Sequence, residues 1–191
     1  MEDLTIGGFA RWLPLDFDLE PDAYVEQLVG EFPTDPAAAH VAPGIVGMAL
    51  KMARARDEGA TSQTQALAFA WLLLASDDLL DPVAHATLQS LPLPTGRATK
   101  DLLTELISAQ EVHGEPEWRS VDTASGPATF LRYRVRVETA DELAIHERVT
   151  VAWARPDHEA LVLLTGYTDD LVAGLDLAPA LEQLAVTVEG L

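Results

Sequence analysis

The chain has 191 residues, of which 12 are Lys or Arg and 31 are Asp or Glu, giving a formal net charge of −19. Nucleic acid and anionic membranes draw their affinity from clustered cations and would meet a repulsive field here, which excludes both as partners of the whole molecule. A hydrophobic content of 48% is that of a chain able to build a core, and it excludes a disordered acidic tail.

The length fits one domain spanning 1–191, at roughly 100–200 residues per domain. With no cysteine there is no disulfide framework, thiolate metal site or cysteine nucleophile, and a reducing cytoplasm is the expected compartment. The opening residues Met1, Glu2, Asp3 and Leu4 lack the basic stretch and apolar run of a secretory signal. The longest nearly unbroken apolar run, residues 66–75, falls far short of the roughly 20 residues that span a bilayer. Ten Arg against two Lys, with abundant Ala, is the composition of high-GC bacterial coding.

Alternation places Phe9, Arg11, Leu13, Leu15 and Phe17 on one face of a first strand over 9–17. Pro14 has no N–H to give a ladder, which puts that strand at a sheet edge. Tyr24, Leu28 and Phe32 recur at helical spacing behind a start signal at 18–21, predicting a helix over 21–31 that Pro33 and Pro36 end. A second helix over 36–59, interrupted or started again near Pro43, carries Ile45, Met48, Ala49 and Met52 on one stripe and closes at Gly59. Residues 64–75 are apolar on both sides, and breakers at either end favour a buried strand over a helix. Pro82, Pro92 and Pro94 argue against a long regular element over 81–95. Residues 97–110 form an amphipathic pattern with Leu102, Leu103, Leu106 and Ile107 on one face.

Beyond Glu115 the pattern becomes that of strands. Residues 118–123 and 128–138 make a hairpin about a turn at 124–127. Leu131, Tyr133, Val135 and Val137 point one way, and Arg132, Arg134 and Arg136 the other. A turn at 139–142 leads into a strand over 145–155 with Val149, Val151 and Trp153 on its apolar face. Residues 161–167, apolar on both faces, suit a central strand of the resulting antiparallel meander. A closing helix over 169–182 sets Leu171, Leu175, Leu181 and Leu184 toward its packed side, bent at Gly174 and Pro179, before a short strand at 186–188. The expected fold is α+β: an antiparallel sheet of about six strands with helices packed on it, an α/β/α sandwich in a single domain.

This ending resembles that of PsbP-like proteins, with strands at 131–137, 149–153 and 161–166, a helix through Leu181 and Leu184, then Val186, Thr187 and Val188. The superfamily includes extrinsic subunits of photosystem II and a nuclear import factor that binds a small GTPase. The resemblance lies in element order and hydrophobic pattern over 60 to 75 residues, and it implies a sheet flanked by helices used for binding rather than catalysis. No functional residue carries over, and residues 36–59 lie outside it.

The sequence contains no Gly-x-Ser-x-Gly elbow, phosphate loop, dinucleotide fingerprint or His-Glu-x-x-His. The pair Gly7 and Gly8 lacks the spacing to cradle a phosphate. His40, His85, His113, His146 and His158 are scattered, none at the spacing that places two ligands on one helix face. Asp77 with Asp78 ends a strand, and Asp169 with Asp170 starts a helix, where negative charge suits the dipole. Trp12, Trp71, Trp118 and Trp153 fall in strands as packing residues. No catalytic residue, metal site or cofactor is expected.

The most informative feature is the arginine ladder. If Tyr133 pairs with Val149, then His146 and Arg148 join Arg132, Arg134 and Arg136 on one sheet face. Either acidic helices or solvent satisfy these arginines, or the face binds an acidic protein, peptide or carboxylate by bidentate contacts. Arg134 opposite Arg148 would be costly without an anion between them. The expected function is a non-enzymatic cytoplasmic binding or adaptor protein, with Arg132, Arg134, Arg136, His146 and Arg148 as its partner-binding residues. The alternatives are a small-molecule-binding or hydrolytic enzyme, with carboxylates and Arg in a cleft between the sheet and the 36–59 helix, and a self-associating homodimer paired through the 9–17 edge.

Overall fold

The structure, a computed structural model, describes residues 5–6, 11–62, 66–138, 143–172 and 174–191. In chain order the elements are β1 (Thr5–Ile6), β2 (Trp12–Pro14), α1 (Pro21–Glu31), α2 (Ala38–Ser62), β3 (Ala66–Ser76), β4 (Leu79–Pro92) and α3 (Thr99–Ser108), followed by β5 (Val112–Thr123), β6 (Gly126–Glu138), β7 (Leu143–Arg155), a 3₁₀ turn (Pro156–His158), β8 (Ala160–Thr168), α4 (Gly174–Val186) and β9 (Val188–Glu189). Seven strands form one antiparallel sheet in the order β2-β3-β4-β8-β7-β6-β5, and β1 pairs with β9 as a separate ribbon. The arrangement is α+β, with β8 central and β2 at an edge as its proline requires.

Side-chain alternation divides the core between the two faces of the sheet. On one face Trp71, Leu73, Ala84, Ala86, Leu88, Phe130, Val149, Val151 and Trp153 pack with Leu177, Leu181 and Leu184 of α4. Gly166 of β8 is what lets α4 come this close, since a Cβ there would lie 2.9 Å from Leu177 Cδ1. The opposite face holds two separate clusters. One joins Ala70, Leu72 and Leu74 to Tyr24, Leu28, Ile45, Val46 and Ala49 of α1 and α2. The other joins Leu131, Tyr133, Val135, Ala152, Leu161 and Leu163 to Leu103 and Ile107 of α3.

Several expectations need correction. Residues 79–92 are a fourteen-residue interior strand, not an irregular stretch. Pro82 sits at a register shift opposite Leu74 and Pro92 at the strand's last residue, so neither removes a ladder donor mid-strand. The strand's inward side chains are small or modestly apolar, which hides its alternation. The β5–β6 turn is tighter than expected, because Thr123 pairs with Gly126 and leaves two residues between them; Gly126 has a φ of +99°, which only glycine adopts without strain. Helix α4 begins at Gly174, so Leu171 and Leu175 stay exposed and Leu177 takes the buried position. The 9–17 strand narrows to Trp12–Pro14, and its Phe9, the pair Gly7 and Gly8, Thr64 of the 64–75 strand and the turn at 139–142 lie outside the described residues.

The register between β6 and β7 differs by one residue, with the largest consequence. Tyr133 pairs with Arg148 rather than Val149, so Arg134 lies opposite Glu147 and Arg132 opposite Val149. A one-residue slip exchanges the faces of a strand. The observed register places Val149, Val151 and Trp153 against α4 and sets a carboxylate, not Arg148, between two arginines. His146 and Arg148 therefore leave the ladder for the other face.

Candidate functional site: a polar stripe between two helical clusters

The arginine ladder is occupied from within. Arg132 donates from Nε and Nη2 to Glu147 Oε1 at 2.8 and 2.7 Å, and Arg134 Nε donates to Oε2 at 3.3 Å. Glu147 is completely buried, the condition under which a carboxylate needs charged partners. Arg136 lies farther out and meets Glu111 at 3.2 Å, with both groups exposed. Arg132 and Arg134 thus hold the β6–β7 register and the seat of α4, where Gly174 leaves room for Glu147; a Cβ at that glycine would come within 3.2 Å of its carboxyl carbon.

On the opposite face, a stripe of polar side chains crosses the sheet between the α1–α2 cluster and the α3 cluster. Cross-strand pairing builds it in rows: Leu72, His85, Tyr167, Arg148 and Tyr133 in one, and Ala70, Thr87, Thr165, Thr150 and Leu131 in the next. The two ends of each row are the apolar residues under the helices, and the polar residues fill the interval. Alternation dictates this. Ala84, Ala86 and Val149 commit their strands to the α4 core, which turns His85, Thr87 and Arg148 outward.

Within the stripe, His146 Nδ1 and Tyr167 Oη are in hydrogen-bond contact at 2.7 Å. The ring of His85 lies 4.9 Å from that of Tyr167, and the Arg148 guanidinium carbon lies 5.7 Å from the same ring centroid. Thr150 and Thr165 share a hydroxyl contact at 3.3 Å. Burial holds the His85 imidazolium below its ordinary range; Arg148 pushes the same way and Asp169 opposes it. Burial raises the Tyr167 phenol, reinforced by Asp169 and opposed by Arg148. Both groups are therefore neutral near pH 7, and Arg148 carries the stripe's positive charge.

Arg148 is set apart by what it lacks. Arg11, Arg56, Arg97, Arg119, Arg132, Arg134 and Arg136 each lie within 4 Å of a carboxylate. Among the described residues Arg54, Arg148 and Arg155 meet none: Arg54 is exposed, Arg155 has a buried, unpartnered Nε but donates from Nη2 to the Ser125 carbonyl at 2.7 Å, and Arg148 is half-buried with its Nε buried and without a hydrogen-bond partner. Beside it a cavity of about 320 Å³ opens between the sheet and α2, lined by Met48, Leu72, Pro82, Val83, His85 and Tyr167, with the exposed Asp169 at its rim.

Of the five sequence-derived site residues, the structure thus brings His146 and Arg148 together and separates them from Arg132, Arg134 and Arg136. His85 and Tyr167 were missed. A signal existed, since His85 and Thr87 are the polar half of an alternating strand, but the prolines around it masked the alternation. The tryptophans pack as expected: Trp12 Nε1 donates to the Ala180 carbonyl and Trp153 Nε1 to the Thr123 hydroxyl. Among the described residues no three His, Asp or Glu side chains converge to hold a metal ion, and no helix is long and apolar enough to cross a membrane. No protein-family model matches the chain, and comparison with curated proteins and with solved structures likewise finds no match.

Proposed function

We propose that the protein is a non-enzymatic cytoplasmic binding protein that takes a carboxylate-bearing partner on the stripe between α2 and α3. Arg148 is the anchoring charge, with His85, His146 and Tyr167 around it. The observation that carries this reading is Arg148 itself, a half-buried guanidinium on a chain of net charge −19 that meets no carboxylate among the described residues. The half-buried guanidinium is a charge that an incoming carboxylate meets through a charge-assisted contact. The PsbP-like resemblance accords with it, since that fold serves mainly for binding. The order β6, β7, β8, α4, β9 also follows the resembling pattern, although β9 pairs with β1.

A second reading, a hydrolytic enzyme in the cleft beside α2, draws support from the 2.7 Å His146–Tyr167 contact, a pair able to move a proton. Against it, no serine or cysteine stands beside that pair among the residues of the stripe and cavity. The test is amide chemical-shift mapping with a capped glutamate peptide as probe. Binding on the stripe shifts His85, the 146–150 segment of β7 and the 165–169 segment. Shifts confined to Arg119 and Arg136 would overturn the proposal, as would none with either this peptide or phenylacetate.

A further inference from the structure

We infer that the cavity beside Arg148 takes an apolar group bearing a single carboxylate, its apolar body against α2 and its carboxylate on the Arg148 guanidinium. This rests on the reading of Arg148 as the anchoring charge and narrows the partner. Three observations lead to it. Met48 of α2 and Leu72 and Pro82 of the sheet are apolar walls, which offer an apolar body nothing to hydrogen-bond and much to cover. The volume of about 320 Å³ lies at the small end for ligand sites, enough for one ring or one branched side chain. Arg148 does not itself line the cavity; its guanidinium carbon lies 5.7 Å from the ring centroid of Tyr167, which does, so the ligand carries its carboxylate past that ring, on the same small unit as its apolar body.

The charge count limits the ligand to one carboxylate. Asp169 at the rim repels a second, and His85, held neutral by burial and by Arg148, supplies no second cation. Beyond the site, a field of −19 acts against any polyacidic partner approaching from solution. An internal Asp or Glu brings a carboxylate without an apolar body. Two sources bring both on one small unit: a free aliphatic or aromatic acid, and the C-terminal residue of a polypeptide that ends in an apolar side chain.

The experiment titrates the full chain by calorimetry and ligand-observed NMR with phenylacetate, phenylacetamide, acetyl-Ala-Leu with a free carboxylate, its C-terminal amide, and a capped glutamate peptide. Phenylacetate or acetyl-Ala-Leu is expected to bind at least about tenfold more tightly than its amide, as a charge-assisted contact requires. Arg148→Gln removes that difference, and Arg148→Lys restores part of it. Met48→Glu, which sets a carboxylate on the apolar wall, weakens both acids while the melting temperature confirms folding. Tighter binding of acetyl-Ala-Leu assigns the ligand to chain termini, and tighter binding of phenylacetate assigns it to free acids; both support the inference. Amides that bind as well as acids would overturn it. If the glutamate peptide binds through Arg148 and the apolar acids do not, the inference fails and the proposed function stands. If no probe binds, both fail.

Discussion

Replacing Arg132 with Gln tests whether the ladder is structural. Glu147 is completely buried, and Arg132 gives it its two shortest contacts, at 2.8 and 2.7 Å, leaving only Arg134 at 3.3 Å after substitution. Removing one partner of a buried ion pair costs about 3–5 kcal/mol, because the remaining charge stays desolvated. Arg134 retains part of the compensation, so the lower end, about 3 kcal/mol, is expected for Arg132→Gln. Arg134→Gln, which removes the longer contact from a side chain 45% exposed, should cost about 1 kcal/mol. At roughly 2–4 °C per kcal/mol for a chain of this size, Arg132→Gln lowers Tm by about 6–12 °C. The double variant Arg132→Gln with Glu147→Gln should recover part of this, since no unpaired carboxylate remains, giving a coupling of about 1–3 kcal/mol in a double-mutant cycle. Urea denaturation of the four proteins measures it. If Arg132→Gln and Arg134→Gln both leave the urea midpoint unchanged, the reasoning is refuted and the ladder returns as a free basic surface.

Other outcomes follow from the same contacts. Gly166→Ala forces Leu177 and Leu181 away from the sheet and should destabilise by about 1–3 kcal/mol in urea denaturation, whereas a neutral result would mean that α4 is loosely seated. Arg119 binds Glu182 with two contacts of 2.6 Å and holds its carboxyl below the usual range. The unfolded chain therefore takes that proton first, and stability falls as pH drops below the unfolded carboxylate value of about 4.3; Glu182→Gln should flatten that acid limb by under about 1 kcal/mol, the exposure of both groups being substantial. His85, lowered by burial and by Arg148, is neutral in the folded chain, so the unfolded chain protonates first below pH 6.5. Stability should decline on acidification from 6.5 down to the lowered folded value, and His85→Gln should remove that slope; an equal slope in the variant would contradict the burial of His85.

Regular alternation made much of the fold legible. Leu131, Tyr133 and Val135 against Arg132, Arg134 and Arg136 identify β6 without ambiguity, and the two-sided apolarity of 161–167 identifies the centre of the sheet. β4 was illegible because its prolines stand at a bulge and at a strand end, places where sequence alone cannot locate them. The candidate site was only half legible for a related reason. Arg148 and His146 were noticed as charges, but their face depends on a register fixed by Glu147 between Arg132 and Arg134 and by the packing of α4, both long-range contacts. One residue of register separates a five-membered basic face from an ion-paired core and a stripe with one open guanidinium.

The most direct test of the carboxylate site reads the arginine side chains themselves. In ¹H–¹⁵N spectra of the guanidinium Nε–H groups, titration with phenylacetate should move the Arg148 resonance in a saturable way, as a carboxylate settles on its guanidinium. Arg132 and Arg134, already bound to Glu147, should stay in place. A stationary Arg148 resonance, with shifts at Arg132, Arg134 or Arg136 instead, would contradict the account.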